Sequence, residues 1–264
     1  MSTNSIRFFN KLKLGKKEKA DIITVNCSDG GLSDQSNIAY KASQKFFERT
    51  GVVGGAEIYI EKHIPQAAGM GGGSADAAAV IVALDKLYNT NLSRQQLCDI
   101  GLTVGADVPF CIVGGTARVG GIGEKMQKLS DMPDCALLLI KHGKKLSTAD
   151  MYRQLDAYPQ DEFYTDKMVD GIKNNDLDIV CQSVFNAFDS VCDNNDLVEH
   201  IKVTNPLSVS LTGSGPTVFA IYENVKHAES AKALLQTMGY NPIISENRVL
   251  LNSCYVPPYG NTLT

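Results

Sequence analysis

The sequence contains no apolar stretch that approaches the length needed to cross a bilayer. Its opening residues, Met1 to Ser5, also lack the basic and then apolar order of a secretory signal. Lysine and arginine are scattered rather than gathered into one basic stripe, and the formal net charge is −4. Because nucleic-acid binding depends on neutralising phosphates, this charge pattern argues against it. These absences predict a cytoplasmic protein that binds neither membranes nor nucleic acids.

No Cys-x-x-Cys pair occurs, although the sequence has seven cysteines. Zinc sites and disulfide frameworks are recognised by paired, regularly spaced cysteines, whereas these are odd in number and far apart. Free cysteine packs like a small apolar residue in a reducing compartment. We therefore expect buried thiols at positions 27, 98, 111, 135, 181, 192 and 254.

The length of 264 residues, with 44% hydrophobic and 20% charged residues, indicates a soluble globular protein of one large or two modest domains. The predicted boundary is Met132-Pro133-Asp134, because a short buried strand begins directly after it. We therefore expect domains at 1–133 and 134–264. In the second domain, a strand, a helix, a hairpin, a further helix and a closing strand near 248–254 predict a ferredoxin-like α+β fold.

Local patterns predict the elements around the candidate site. The alanine-rich residues 74–88 have high intrinsic helix propensity. Residues 177–191 repeat apolar side chains at helical spacing, so one continuous helix is expected there. The apolar stretches 208–211 and 217–222 flank a glycine-containing turn and predict a hairpin.

A glycine-rich segment stands directly before the alanine-rich helix. Glycines without a Cβ let backbone N–H groups converge on an anion, and the helix that follows adds the positive end of its dipole. The segment lacks the Gly-Lys-Ser/Thr of a P-loop, and Ser74 stands where a dinucleotide fingerprint has its third glycine. A packing turn is the alternative, but four glycines in five positions favour a phosphate site. The predicted ATP-binding residues are Pro65, Gln66, Ala67, Ala68, Gly69, Met70, Gly71, Gly72, Gly73, Ser74 and Ala75.

Three blocks of sequence carry a family resemblance. The first is the glycine segment with Ser-Ala-Asp-Ala-Ala after its triple glycine, the second is 101–110 running on into 114–124, and the third is 211–220. Together they resemble the GHMP kinases, and within them the branch that phosphorylates a hydroxyl of 4-(cytidine 5'-diphospho)-2-C-methyl-D-erythritol in the non-mevalonate isoprenoid pathway. The resemblance implies an α+β, two-domain GHMP kinase fold, with an N-terminal ATP-binding domain and a C-terminal ferredoxin-like domain. It also implies ATP with Mg²⁺, whose protein ligands it does not identify.

The same resemblance assigns roles to individual residues. It gives Asp107 the catalytic role, as the carboxylate that orients the attacking hydroxyl and accepts its proton. A helix cap or a solvated loop carboxylate is the alternative role for this residue. It places Tyr152 beside the cytidine, where the ring could stack on the base, or could instead pack the start of a helix. It also assigns substrate binding to the hairpin turn of Gly213, Ser214 and Gly215.

The sequence departs from the family pattern at its start. The family begins with a Lys-Ile-Asn-Leu-type strand and an Asp-Gly-Tyr-His-like segment, and we expect this chain to lack both. Residues 9–14 have a superficial likeness to the first, but the register of 21–42 argues against it. Ala75 also replaces a usual serine. Two rivals therefore remain, another GHMP kinase such as homoserine kinase and a non-catalytic or truncated nucleotide-binding relative. The chain itself is expected to be a monomer or homodimer.

Overall fold

The computed structural model describes residues 2–4, 10–17, 22–33, 35–143, 147–155, 164–246 and 262–263. The strands are β1 Ser2–Asn4, β2 Lys11–Lys17, β3 Ile23–Cys27, β4 Gly55–Glu61, β5 Thr116–Gly120, β6 Lys125–Lys128, β7 Ala136–Lys141, β8 Ser208–Leu211, β9 Thr217–Tyr222, β10 Ile243–Glu246 and β11 Thr262–Leu263. The helices are α1 Ile38–Thr50, α2 Gly72–Tyr88, α3 Arg94–Val104, α4 Val108–Val113, α5 Thr148–Leu155, α6 Thr165–Lys173, α7 Leu177–Gln182, α8 Asn195–Lys202 and α9 Val225–Thr237. Short 3₁₀ turns form at Gly30–Leu32 and Ala187–Ser190. Among the described helices, none is long and apolar enough to span a membrane.

The chain forms two compact units. The N-terminal unit consists mainly of Phe8–Ile64 and Gly71–Gln127. The C-terminal unit consists mainly of Lys128–Val249, and it includes the first part of the glycine segment, Pro65–Met70. The domain boundary expected after residue 133 stays a prediction.

The N-terminal unit is built on a sheet with the strand order β11-β2-β4-β3. Strand β2 runs antiparallel to β4, and β3 runs parallel to it. Alternation along these strands buries Leu14, Ile58 and Ile60 in one core with side chains of α1 and α2, including Phe46 and Leu84. The predicted helix at 74–88 is confirmed as the larger part of α2.

The C-terminal unit has the βαββαβ order expected from the sequence. Its antiparallel sheet has the strand order β10-β7-β9-β8, with helices between β7 and β8 and between β9 and β10. The predicted hairpin is confirmed as β8 and β9. Leu138, Ile140 and Tyr222 from the sheet are buried with Leu197 and Leu235 from the helices. The structure has a last strand at β10, whereas the closing strand expected near 248–254 lies outside the described residues.

The expectation of one continuous helix over 177–191 is wrong. Helix α7 ends at Gln182, and after four residues a separate 3₁₀ turn forms at Ala187–Ser190. The break occurs because Asn186 and Asp189 hydrogen-bond to β8 and the turn that follows it, instead of lying along a helix surface.

The cysteines of the described residues are free thiols, as expected. Four of them are buried and two are half-buried, while Cys254 lies outside the described residues. Within the described part of the chain, no group of three or more His, Cys, Asp or Glu side chains could hold a metal ion.

Candidate functional site

The glycine segment leads into α2 without a side-chain cap. The N-cap residue Gly71 has φ 67°, a left-handed conformation that favours glycine, and a Cβ built there would meet nothing within 4 Å of the described residues. No side chain in the described structure caps the first turn. Its N–H groups and the positive end of a 17-residue helix are therefore suited to an anion such as phosphate.

A buried ion pair lies beneath this helix start. The Lys62 ammonium lies 2.8 Å from Oδ2 of Asp76, and the two side chains are only 11% and 6% exposed. The Nδ2 group of Asn10 donates a hydrogen bond of 2.7 Å to the other carboxylate oxygen of Asp76. Both oxygens of this buried carboxylate are thus satisfied by charge and by hydrogen bonding, as burial requires.

Asn10 also connects this pair to the end of β4. Its Oδ1 atom accepts hydrogen bonds of 2.8 Å from the backbone N–H groups of His63 and Ile64, the two residues before the glycine segment. Asn10, Lys62 and Asp76, here called the loop anchor, therefore tie the residues before the glycine segment to the first turns of the helix after it. The sequence analysis assigns no role to any of these three residues, although Asp76 belongs to the first resemblance block and Asn10 to the residues 9–14 that have a superficial likeness to a family motif.

The side-chain alternation of β2 explains why Asn10, rather than a neighbouring lysine, reaches the anchor. Lys11 and Lys13 are exposed, and Lys11 pairs with Glu61 at 3.4 Å. Leu12 and Leu14 face the opposite side and pack into the core. Asn10 precedes them at the same two-residue interval, which directs it to the face that α2 covers.

Asp107 lies in the turn between α3 and α4, at the N-cap position of α4. Its backbone is in the right-handed helical region, and its side chain makes no capping hydrogen bond. The capping alternative is therefore wrong, whereas an exposed carboxylate fits both the catalytic role, which stays a prediction, and the alternative of a solvated loop carboxylate. The turn itself is held from two sides. Lys41 donates to the carbonyl of Val104 at 3.1 Å, and Gly123 approaches Ala106 so closely that a Cβ would lie 2.2 Å from the Ala106 carbonyl oxygen.

The pKa of the half-buried Cys111 thiol reflects its burial and the negative charges around it. Burial, together with the smaller effect of the negative charges of Asp107 and Asp76, raises the pKa of Cys111 from its ordinary 9.0 to about 12. Asp107 directly precedes α4, the helix that carries Cys111, and α4 packs against α2, the helix that carries Asp76. The structure thus brings the predicted catalytic residue into the same neighbourhood as the loop anchor.

In the C-terminal unit, the first part of the glycine segment packs against the hairpin turn between β8 and β9. The Thr212 hydroxyl donates a hydrogen bond of 2.6 Å to the carbonyl of Gly69. A Cβ at Gly69 would lie 2.6 Å from the Thr212 carbonyl oxygen and 2.7 Å from that of Gly215. The Lys141 ammonium donates to the carbonyl of Gln66 at 2.6 Å. Two segments that the sequence singled out separately are therefore in direct backbone contact.

Tyr152 lies on α5 with its side chain largely in solvent, 59% exposed. Its ring meets Phe188 edge to face, with centroids 5.0 Å apart. The neighbouring Met151 is fully buried and fills the packing role at the start of this helix. Tyr152 is thus a surface aromatic that can stack on a planar ligand.

A depression in the surface of the C-terminal unit lies away from these residues. It has a volume of about 560 Å³ and is lined by α9 and the segment that leads into β10. None of the predicted site residues lines it, so the assignment of the site rests on the geometry described above.

Comparisons with known proteins bear on the family. A family model described as the GHMP kinases N terminal domain matches residues 37–115. A 4-diphosphocytidyl-2-C-methyl-D-erythritol kinase of Exiguobacterium sibiricum is 43% identical over 202 residues, which are 75% of this chain and 71% of that protein. A protein of the same name from Alkaliphilus metalliredigens is 36% identical over 238 residues, 88% of this chain and 81% of that protein.

Solved structures confirm the expected fold. A crystal structure of 4-(cytidine 5'-diphospho)-2C-methyl-D-erythritol kinase matches with a TM-score of 0.74 at 24% identity, covering 90% of this chain and 85% of that one. A homoserine kinase from Cytophaga hutchinsonii matches with a TM-score of 0.77 at 20% identity, covering 91% and 86%. At such identities the likeness shows the fold alone, and the sequence relatives decide between branches. The chain belongs to the GHMP kinases, in the family of the 4-diphosphocytidyl-2-C-methyl-D-erythritol kinases.

Proposed function

We propose that the chain catalyses the ATP-dependent phosphorylation of a hydroxyl of 4-(cytidine 5'-diphospho)-2-C-methyl-D-erythritol. The substrate comes from the relatives that carry this name and are 36% to 43% identical over most of the chain. The reaction type is supported by one observation above all: Asp107 stands at a helix start with its carboxylate uncommitted. The finer expectations, a cytoplasmic location and a monomer or homodimer, stay predictions.

ATP is proposed to bind with its phosphates at residues 65–75. The uncapped N–H groups at the start of α2 supply donors for the phosphate oxygens. Ala75 offers no hydroxyl here, so Ser74 and the backbone carry the polar contacts. Gly213, Ser214 and Gly215 belong to the turn that holds the Gly69 carbonyl, which supports a role for that turn in shaping the segment.

In the proposed reaction the acceptor hydroxyl oxygen forms a bond to the γ-phosphorus of ATP. The bond from that phosphorus to the bridging oxygen breaks, ADP leaves, and the hydroxyl proton passes to the carboxylate of Asp107. Tyr152, with its exposed ring, is proposed to stack on the cytosine and so hold the acceptor.

Mg²⁺ is proposed to enter with ATP, and it would offset the negative charge of the phosphates there. The described residues contain no cluster of three acidic or metal-binding side chains, and both oxygens of Asp76 are already engaged. Mg²⁺ in kinase sites takes one or two protein carboxylates beside substrate phosphates and water, so a site without a three-residue cluster is compatible with it.

The test is steady-state turnover of the purified chain with ATP, Mg²⁺ and the cytidine-diphosphate substrate. The Asp107→Asn variant should lose about 10²–10⁴-fold in kcat, because general-base catalysis is typically of that size, while its ATP affinity stays nearly unchanged. The control Asp196→Asn makes the same change at an exposed residue in the first turn of α8 and should have no effect.

Two outcomes would count against the proposal. Full turnover in the Asp107→Asn variant would show that this carboxylate has a structural role only. A wild-type chain that binds ATP but transfers no phosphate would favour the non-catalytic nucleotide-binding alternative.

A further inference from the structure

The side chain of Asn186 connects the 3₁₀ turn at Ala187–Ser190 with the end of β8 and the turn that follows it. Its Nδ2 group donates to the carbonyl of Leu211 at 2.7 Å and to that of Gly213 at 2.9 Å. Its Oδ1 atom accepts from the backbone N–H of Phe188 at 3.0 Å, which caps the 3₁₀ turn. One amide therefore fixes its own segment with its oxygen and the hairpin turn with its nitrogen.

Asp189 adds a second tether at the end of β8. Its carboxylate accepts hydrogen bonds from the Ser210 hydroxyl at 2.7 Å and from the backbone N–H of Leu211 at 2.9 Å. Burial raises the pKa of this carboxyl above its ordinary value, against the lowering effect of these two bonds. The segment that breaks the expected helix thus holds β8 and its turn through Asn186 and Asp189 together.

The hairpin turn after β8 holds the glycine segment in place at Gly69. The Thr212 hydroxyl is bonded to the Gly69 carbonyl, and Gly69 fits only because it has no Cβ. Because the contact is between backbones, a displacement of residues 211–213 would displace Gly69 or break the contact. A continuous path of hydrogen bonds therefore runs from Asn186 through the turn to Gly69.

We infer that Asn186 is a positioning residue for ATP binding, acting through the 211–213 turn on Gly69. This inference rests on the proposed function, since it takes residues 65–75 as the ATP site. The amide holds one conformation of the turn, so the glycine segment is already shaped when ATP arrives. Without it, the turn and segment gain freedom that binding must remove, and ATP affinity falls.

Asn186→Asp is the discriminating variant. It keeps the oxygen that caps the 3₁₀ turn and loses the two N–H donors to the turn. Asn186→Ala removes both functions. Asn224→Ala is the matched control, because Asn224 is also an N-cap asparagine of the C-terminal unit, accepting from His227 N at 3.0 Å at the start of α9.

The measurements are the Kd of ATP with Mg²⁺ by calorimetry, and KM and kcat for ATP. Loss of the two hydrogen bonds to the turn predicts roughly a tenfold rise in Kd and KM for both Asn186 variants, which corresponds to about 1.4 kcal/mol. The kcat should change much less, and Asn224→Ala should match the wild type in all three. An Asn186→Asp variant with wild-type ATP affinity, or an equal loss in Asn224→Ala, would overturn the inference.

A second variant covers the case in which the Asn186 proteins do not fold. Thr212→Val keeps the shape of the side chain and removes only the hydroxyl that reaches Gly69, so it should raise the Kd of ATP severalfold. An unchanged Kd there would also overturn the inference. A wild-type chain that does not bind ATP contradicts the proposed function itself, whereas variants that bind as the wild type does contradict only the role of Asn186.

Discussion

The two units hold their parts of the glycine segment by different physical means. In the N-terminal unit, the loop anchor joins a buried ammonium, a buried carboxylate and an amide, so charge carries the arrangement. In the C-terminal unit, the turn after β8 holds Gly69 by a neutral hydrogen bond and close backbone contact. The first arrangement depends on paired charges and the second on the absence of a side chain.

This difference predicts which substitutions the loop anchor and the Gly69 contact can each tolerate. Removing one partner of a buried ion pair leaves the other charge buried and uncompensated. The resulting loss of stability is large even though the intact pair need not be strongly stabilising. A close backbone contact tolerates changes in polarity but not in volume. The predictions below contrast these two sensitivities, in order of decreasing effect.

The largest effect is expected at the loop anchor. Asp76→Ala should lower the free energy of unfolding by about 3–5 kcal/mol, because it leaves the ammonium of Lys62 buried without a counter-charge. Urea unfolding measures the change. Glu199→Ala is the control, since its partner Lys202 and itself are 58% and 69% exposed, and it should change stability by less than about 1 kcal/mol.

The double variant Lys62→Met with Asp76→Asn sharpens this prediction. It removes both charges while keeping a group that can accept from Asn10, so it should recover much of the stability lost in Asp76→Ala. If the double variant were as unstable as the single one, packing rather than charge would control this region.

The next largest loss of stability is expected from adding a side-chain atom at Gly69 in the C-terminal unit. Gly69→Ala should destabilise the protein by about 1–3 kcal/mol more than Gly143→Ala, because its Cβ would overlap two backbone oxygens. Gly143 is the matched control, since its φ of 72° is close to the 71° of Gly69 and a Cβ there meets nothing within 4 Å of the described residues. Thermal unfolding of the two variants measures the difference, and equal losses would show that backbone conformation alone decides.

The smallest effect is expected from alkaline pH. Burial raises the pKa of Cys111 and of Cys135 from 9.0 to about 12, so each folded thiol keeps a proton that the unfolded thiol loses. The unfolded state then binds fewer protons, and stability present below pH 9 falls as the pH rises towards 12. At pH 10 the loss is about 1.4 kcal/mol for each thiol.

Urea unfolding at pH 8 and pH 10 tests this loss in the wild type and in Cys111→Ala and Cys135→Ala. In each variant the free energy of unfolding should fall less between pH 8 and pH 10 than in the wild type, by the contribution of the one thiol that was removed. Adding Asp107→Asn should lower the pKa of Cys111 but not of Cys135, whose charged neighbours are Cys181 and Asp134. A decline of the same size in all the proteins would assign it to other groups.

The sequence predicts what is local in this structure. The glycine segment, the alanine-rich helix and the β8–β9 hairpin each show their pattern within a few consecutive residues, and the structure has the last two where they were expected. The resemblance singled out Asp107 from the block around it, since one aspartate before a proline-containing helix start has no pattern of its own.

What the sequence does not predict depends on distant partners. Asn10 lies 66 positions from Asp76, and only the fold brings them together. The break after α7 is hidden because apolar side chains continue at helical spacing, while Asn186 finds its partners 25 and 27 positions away. In both cases the amide of an asparagine hydrogen-bonds to a group that is distant in sequence, a buried carboxylate for Asn10 and backbone carbonyls for Asn186. The periodicity of a single sequence carries no information about such partners.

The ion pair of the loop anchor also has a consequence for chain entropy. Lys62 and Asp76 are 14 positions apart and enclose the glycine segment, so their contact closes it into a ring in the way a crosslink would. Closing a loop of that length costs conformational entropy. Because folding has already closed it, a nucleotide bound at the proposed site would meet a segment with its ends fixed and would not supply that entropy from its own binding energy.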